Sequence, residues 1–210
     1  MDFSNKENTP IQEKNSYHGV GSFLLELIKI VFWAFLIIVP VRMFLFQPFF
    51  VQGASMEPTF ENNEYLIINE LGYKKTEVGI PGKIFFSVEP FKKLSRGEVI
   101  VFRYPKNRSQ FFIKRIIGLP GEKIEVKNNQ MLIYNSANPD GLVLDEKEYL
   151  SESVRTSGDL VMQLNDSEYF VMGDNRMFSS DSRYWGPVGS ADIIGKVLLR
   201  AWPLDNLAVF

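Results

Sequence analysis

From Phe23 to Phe46 the chain runs FLLELIKIVFWAFLIIVPVRMFLF, apolar on every face with only Glu26, Lys29 and Arg42 charged. At about 1.5 Å per residue such a stretch crosses a hydrocarbon core of roughly 30 Å. The charges stand near its two ends, where long side chains snorkel to the interface, and Pro40 predicts a kink near the exit. No small-residue cleavage site follows in Met43-Phe-Leu-Phe-Gln-Pro-Phe-Phe50, which favours a permanent anchor over a cleaved leader or a buried helix. Ahead of it, residues 1–22 are polar and without hydrophobic period, and read as a flexible tail. Lys6 and Lys14 in that tail, against Arg42 alone near the far end of the span, favour a cytoplasmic tail.

Beyond the anchor the pattern changes from helix to strand. Tyr65–Ile68, Val99–Phe102, Phe111–Ile117, Lys123–Val126, Met131–Tyr134, Tyr169–Met172 and Ile193–Arg200 are short apolar or alternating runs. Gly, Pro, Asn and Asp clusters separate them. This pattern predicts a mainly β fold, an antiparallel barrel or sandwich, over residues 47–210 behind one N-terminal transmembrane helix over 23–46. Two looser stretches, near 72–95 and 135–166, are expected to be surface insertions on the β framework. There is no internal repeat.

Composition narrows the chemistry. The chain has 210 residues, 45% of them hydrophobic and 14% aromatic, enough for one domain with a real core. A net charge of -2 with scattered basic residues gives no support for nucleic-acid binding. There is no cysteine, hence no disulfide, thiolate metal site or thiol nucleophile. The single histidine, His18, lies in the tail. A Ser-His-Asp triad therefore has no histidine in the domain, and a serine nucleophile would need another base, such as a lysine of lowered pKa.

Three stretches carry candidate chemistry. Ser55 stands in Gly53-Ala-Ser-Met-Glu-Pro-Thr59, where small residues let the backbone turn and approach a ligand, and where a free N–H could serve an oxyanion. The plainer reading is a turn serine. Lys114 lies in Phe112-Ile-Lys-Arg-Ile-Ile-Gly-Leu-Pro-Gly121; alternation puts Phe112, Lys114 and Ile116 on one face and Arg115 on the other. On a covered face Lys114 loses hydration and its pKa falls toward that of a general base; on an open edge it points to water. The cluster Gly173-Asp-Asn-Arg-Met-Phe-Ser-Ser-Asp-Ser-Arg-Tyr-Trp-Gly-Pro187 offers an ion-pair network or simply a structural turn.

Taken in order behind a membrane span, these stretches resemble one family, the bacterial type I signal peptidases, which remove signal peptides from exported proteins. The resemblance also covers Gln47-Pro-Phe-Phe-Val51, Arg96-Gly-Glu-Val-Ile-Val-Phe102 and Gly195-Lys-Val through Arg200-Ala-Trp-Pro203, while the two insertions match nothing specific. It implies Ser55 as nucleophile and Lys114 as general base, Ser179 hydrogen-bonded to the lysine, and Asp181 with Arg183 bracing that wall. It implies a largely β fold with an extended substrate along edge strands. Phe49, Val51, Met56, Phe112 and Ile113 would then lie near shallow pockets for small residues at the first and third positions before the cut.

Three departures stand out. Gly53 occupies a position where some members carry a hydroxyl residue that completes the oxyanion hole. Met177-Phe178 replaces the usual Asp-Asn, so that a polar loop contact is lost or exchanged for membrane or core packing. Asn63-Glu64 and Gly121-Glu122 stand in turns where Gly-Asp is common. The expected protein is a membrane-bound serine endopeptidase working through an acyl-enzyme, monomeric, single-pass in the plasma membrane with its catalytic domain outside. Its partners would be signal-peptide-bearing preproteins and the lipid bilayer, with no metal, no cofactor and no nucleic acid. Two rivals remain: a self-cleaving Ser-Lys repressor relative, which would carry a helical DNA-binding domain, and an inactive membrane-anchored binding protein, which would have lost one of the pair.

Overall fold

The computed structural model describes residues 20–80, 82–151 and 153–210. Most of the expected tail, with His18, lies outside the described residues. The chain divides between Pro40 and Val41 into two compact units. The first is built on helix α1 (Val20–Phe44), which starts three residues earlier than the hydropathy pattern predicts and runs through Pro40. Over Val20–Pro40 it is long and apolar enough to cross a membrane. Leu25, Ile28, Phe32, Phe35 and Ile38 are all exposed. An apolar helix exposed all round suits lipid as its solvent rather than water.

The second unit is mainly β. It opens with β1 (Phe46–Phe50) and β2 (Tyr65–Asn69), then the hairpin β3 (Thr76–Ile80) and β4 (Lys83–Val88). There follow β5 (Val99–Tyr104), β6 (Asn107–Gly118), β7 (Lys123–Lys127), β8 (Gln130–Asn135) and β9 (Asn138–Val143). Then come β10 (Leu160–Gln163), β11 (Glu168–Met172), the one-turn helix α2 (Ser182–Trp185), β12 (Val188–Gly189), β13 (Ile193–Trp202) and β14 (Ala208–Val209). One antiparallel sheet takes the order β1-β2-β13-β5-β6-β11-β12, with β14 on β13. A second has the order β10-β7-β8-β9, and β3 and β4 pair only with each other. Every run singled out by alternation forms a strand. The stretches expected to be loose insertions are themselves partly stranded: 72–95 holds the β3–β4 hairpin, and 135–166 supplies β9 and β10 to the second sheet.

Strand β6 organises what matters for chemistry. Along one side it pairs with β5, setting Lys114 opposite Ile100 and Arg115 opposite Val99. Along the other it meets β11 only from Arg115 onward. Among the described residues no strand covers Phe111–Ile113 on that side, and β1 ends the sheet order with one free edge. Both faces of the closing half of β6 are packed. Ile116 joins Ile100, Phe102, Val171 and Trp185, while Ile117 joins Ile124, Met131, Phe170 and Met172 between the two sheets. A third cluster, with Met56, Phe60, Leu66, Val101 and Val197, lies under the serine turn, and Ile113 packs against it. Lys114 is therefore on an interior strand, not an open edge.

Candidate active site

The serine turn is fixed at both ends. Val51 N–H donates to Glu64 C=O at 2.9 Å and Asn63 N–H to Val51 C=O at 3.0 Å, while Phe60 N–H reaches back to Met56 C=O at 2.9 Å. Arg200 on β13 donates to buried Glu64 at 2.9 Å and to the Thr59 carbonyl at 3.2 Å. Gly53 takes φ +93°, left-handed backbone that an L side chain would strain, and its N–H donates to Asn62 Oδ1 at 2.9 Å. These constraints project Ser55, half-buried, toward β6.

There Lys114 Nζ donates to Ser55 Oγ at 2.6 Å and to the Ile113 carbonyl at 2.8 Å. The lysine is 4% exposed and its ammonium lies 5.6 Å from the centre of the Phe112 ring. Burial strips water from the cation and lowers the Lys114 pKa from 10.5 to about 8, against the pull of the Asp181 and Asp174 carboxylates, which raise it. A neutral amine beside a serine hydroxyl is thus accessible near neutral pH.

The polar cluster after β11 forms the adjoining wall. Gly173 N–H donates to both Ser179 Oγ and Asp181 Oδ2 at 3.2 Å. A Cβ on Gly173 would collide with the Ser179 hydroxyl and the Ser55 carbonyl, so only glycine lets this wall approach the serine turn so closely. Asp181 is fully buried and receives Arg183 through Nε at 2.8 Å and Nη2 at 2.9 Å; Arg183 also donates to the Arg176 carbonyl at 2.7 Å. The resemblance pairs Ser179 with the lysine. In this geometry the Lys114 donors go to Ser55 and Ile113, and Ser179 accepts from Gly173.

Two further ion pairs, not anticipated, complete the wall. Arg115, on the face of β6 opposite Lys114, forks onto Asp174 at 2.8 and 2.6 Å, and Asp174 also accepts from Thr59 Oγ1 at 2.6 Å. Arg176 is buried against Glu146 and Thr156 from the stretch 135–166, and its Nε donates to the Gly173 carbonyl at 3.2 Å. That stretch is therefore tied to the wall of the site. Charge-assisted, two-toothed pairs of this kind fix orientation as well as charge.

A cleft of about 670 Å³ opens at Ser55 and Lys114. Phe49, Val51, Phe112 and Ile113 line it, together with Phe50, Gln52, Gln110, Phe111, Phe178 and Ser180. Met56 does not. It is 1% exposed and packed with Phe60 and Leu66 in the core, because the turn from Met56 to Phe60 sends its side chain inward. Met177 and Phe178 are 81% and 75% exposed, so core packing does not replace the polar contact there; Phe178 stands at the rim of the cleft. Among the described residues no group of acidic or histidine side chains is arranged to hold a metal.

A sequence profile of the family described as "Signal peptidase, peptidase S26" matches residues 24–202. The chain is 32% identical over 189 residues to signal peptidase I P of Bacillus subtilis subsp. natto, covering 89% of this chain and 93% of that protein. Signal peptidase IB of Staphylococcus aureus is 32% identical over 200 residues, covering 87% and 92%. Probable signal peptidase I-2 of Synechocystis is 30% identical over 190 residues, covering 88% and 76%. A crystal structure of a signal peptidase I from Enterococcus faecalis V583 aligns at 33% identity and a TM-score of 0.41, over 50% of this chain and 97% of that one.

Proposed function

The chain belongs to the signal peptidases of the peptidase S26 family, serine peptidases that cleave signal peptides, and on that footing we propose that Ser55 is its nucleophile and Lys114 its general base. The observation that carries the reading is the 2.6 Å contact between Ser55 Oγ and a buried Lys114 Nζ of lowered pKa. Neutral Lys114 takes the Ser55 proton as Oγ attacks the scissile carbonyl. Collapse of the tetrahedral adduct transfers that proton from the lysine to the departing amine and leaves an acyl-enzyme on Ser55. Water, deprotonated by the same lysine, then attacks the ester, and the serine leaves with the proton returned to it. Asp181 with Arg183 holds the wall against which this occurs.

The substrate binds as an added strand. Two unpaired backbone rows, the free edge of β1 and the uncovered side of Phe111–Ile113, border the cleft. Phe49, Val51, Phe112 and Ile113 leave shallow apolar room for small side chains before the cut. Helix α1 anchors the chain in the plasma membrane, the tail lies inside and residues 47–210 form the outer domain, acting as a monomer. Nine positions from Phe46 to Ser55 span at most about 30 Å, the reach within which a signal peptide's cleavage site leaves the bilayer.

The test is direct. Detergent-solubilised protein is incubated with a preprotein and the new N-terminus sequenced. Cleavage after a small residue is expected, abolished by Ser55→Ala and by Lys114→Ala. Lys114→Arg also fails, because a guanidinium stays protonated at working pH. Near-normal cleavage by Lys114→Arg would sink the lysine-base mechanism.

A further inference from the structure

Asn175, in the turn after β11, makes two hydrogen bonds to the serine turn. Its backbone N–H donates to the Ser55 carbonyl at 3.1 Å, and its side-chain Nδ2 donates to the Ala54 carbonyl at 3.0 Å. Those carbonyls belong to the two peptide units that meet at the Ser55 Cα. One residue therefore holds both planes flanking the candidate nucleophile.

The Ala54 contact says more than the other. Across a trans peptide the C=O and N–H point to opposite sides, and the Ala54–Ser55 bond is trans. Drawing the Ala54 oxygen toward Asn175 aims the Ser55 N–H away from it. Among the described residues that N–H has no acceptor, whereas the Gly53 N–H is already taken by Asn62. An oriented, unclaimed amide at the nucleophile is what a developing oxyanion requires. The loop has other ties besides the Asn175 side chain. Arg183 to the Arg176 carbonyl, Arg176 to the Gly173 carbonyl, and Gly173 to Ser179 and Asp181 all hold the loop without it.

Resting on the reading of Ser55 as nucleophile, we propose that Asn175 is a positioning residue that, through the Ala54 carbonyl, sets the direction of the Ser55 amide as oxyanion donor. The effect belongs to the transition state, since the substrate carbonyl carries little charge before attack. Loss of the side-chain donor therefore lowers kcat and leaves KM nearly unchanged.

Full-length protein in detergent micelles, with a peptide spanning a cleavage site, provides the assay. Asn175→Ala and Asn175→Asp are expected to lower kcat about ten- to a hundredfold, with KM within about twofold and the acid limb of the pH profile unmoved. Asn175→Gln, which keeps the amide donor, recovers part of the loss. A peptide aldehyde, which forms an oxyanion-bearing adduct on Ser55, should bind more weakly to Asn175→Ala by a similar factor. The product peptide should bind as to the parent. If Asn175→Ala does not fold, Asn175→Asp, equal in size and shape, carries the comparison. Parent-like kcat in both, a loss confined to KM, or a Gln variant no better than Ala overturns the proposal. Ser55→Ala run in parallel keeps the two readings apart: parent-like cleavage there removes the nucleophile assignment, whereas an inactive Ser55→Ala beside a normal Asn175→Ala removes only the role of Asn175.

Discussion

Replacing Lys114 by methionine should abolish cleavage and yet make the protein more stable at pH 7. Methionine keeps the unbranched stem and removes the ammonium that burial penalises. An unfolded chain holds this proton up to about pH 10.5; in the fold it leaves near pH 8. Between those values the unfolded state binds more protons, so native stability rises with pH across the window. Below pH 8 the penalty is complete, and above 10.5 it has vanished. Each pH unit of displacement is worth about 1.4 kcal/mol, so the buried cation costs about 3 kcal/mol at pH 7. The substitution also leaves the Ile113 carbonyl and the Ser55 hydroxyl without the lysine donor, which takes back about 1 kcal/mol. A net gain of about 2 kcal/mol remains, or about 4–8 °C in Tm for a protein of this size. Urea and thermal unfolding of parent and Lys114→Met, in the same detergent at pH 7 and pH 11, measure it. Other tyrosines and lysines titrate alike in both proteins and cancel. A Lys114→Met protein no more stable at pH 7, or a gain that persists undiminished at pH 11, refutes the argument.

The same proton governs rate: kcat/KM should rise with pH and level off above about 8, where Lys114 becomes neutral, and an acid limb displaced to pH 10 or beyond would contradict a desolvated base. Asp174→Asn leaves the buried Arg115 guanidinium without its carboxylate, so unfolding free energy should fall by about 3–5 kcal/mol in urea titrations; a loss below about 1 kcal/mol would mean the pair is not braced as its geometry indicates. At the first position before the cut, alanine should outpace phenylalanine by on the order of a hundredfold in a panel of preproteins, because a bulky side chain between Val51 and Ile113 pushes the scissile carbon off the attack line. Equal rates would place the pocket elsewhere.

What could be read from the residues, and what could not, follows from where the information lies. Strands such as β2, β5, β6 and β13 bury one or both faces, so their alternation or apolar runs are visible. β9, Asn-Pro-Asp-Gly-Leu-Val, is exposed and carries no such signal, whereas β4, Lys-Ile-Phe-Phe-Ser-Val, has an apolar run but buries none of it and stands among Gly- and Pro-rich neighbours. β1 lacks a signal for another reason: Phe46-Gln-Pro-Phe-Phe50, at the start of the predicted β domain, carries a proline and continues the apolar composition of α1 without alternation. Small residues around Ser55 and apolar neighbours around Lys114 make each a candidate, but alone they read equally as a turn serine and an exposed lysine; it is the resemblance, from the order of the motifs, that implies their roles. Asp174 with Arg115, 59 positions apart, has no local signature, and neither does Glu146 with Arg176. Met56 was misplaced because adjacency to Ser55 in sequence says nothing of direction; the turn carries successive side chains to opposite destinations. Asn175 acts through backbone carbonyls, which no composition or period reports.

The ion pairs explain how the fold tolerates a buried lysine of lowered pKa. A lysine surrounded by unpaired carboxylates would be held firmly protonated, and one surrounded only by apolar groups would have nothing to seat it. Asp174 and Asp181 both lie close enough to raise the Lys114 pKa, yet each is forked by an arginine, Arg115 or Arg183. A carboxylate so paired attracts a further proton less than a free one does, so desolvation prevails and the amine can be neutral. The same arginines brace the wall: Arg183 through the Arg176 carbonyl, Arg115 through the Gly97 carbonyl at 2.6 Å. Lowering the Lys114 pKa and holding the lysine against Ser55 are thus one arrangement. The buried cation makes the protein less stable than it needs to be, and the neighbouring pairs supply rigidity where the lysine supplies none.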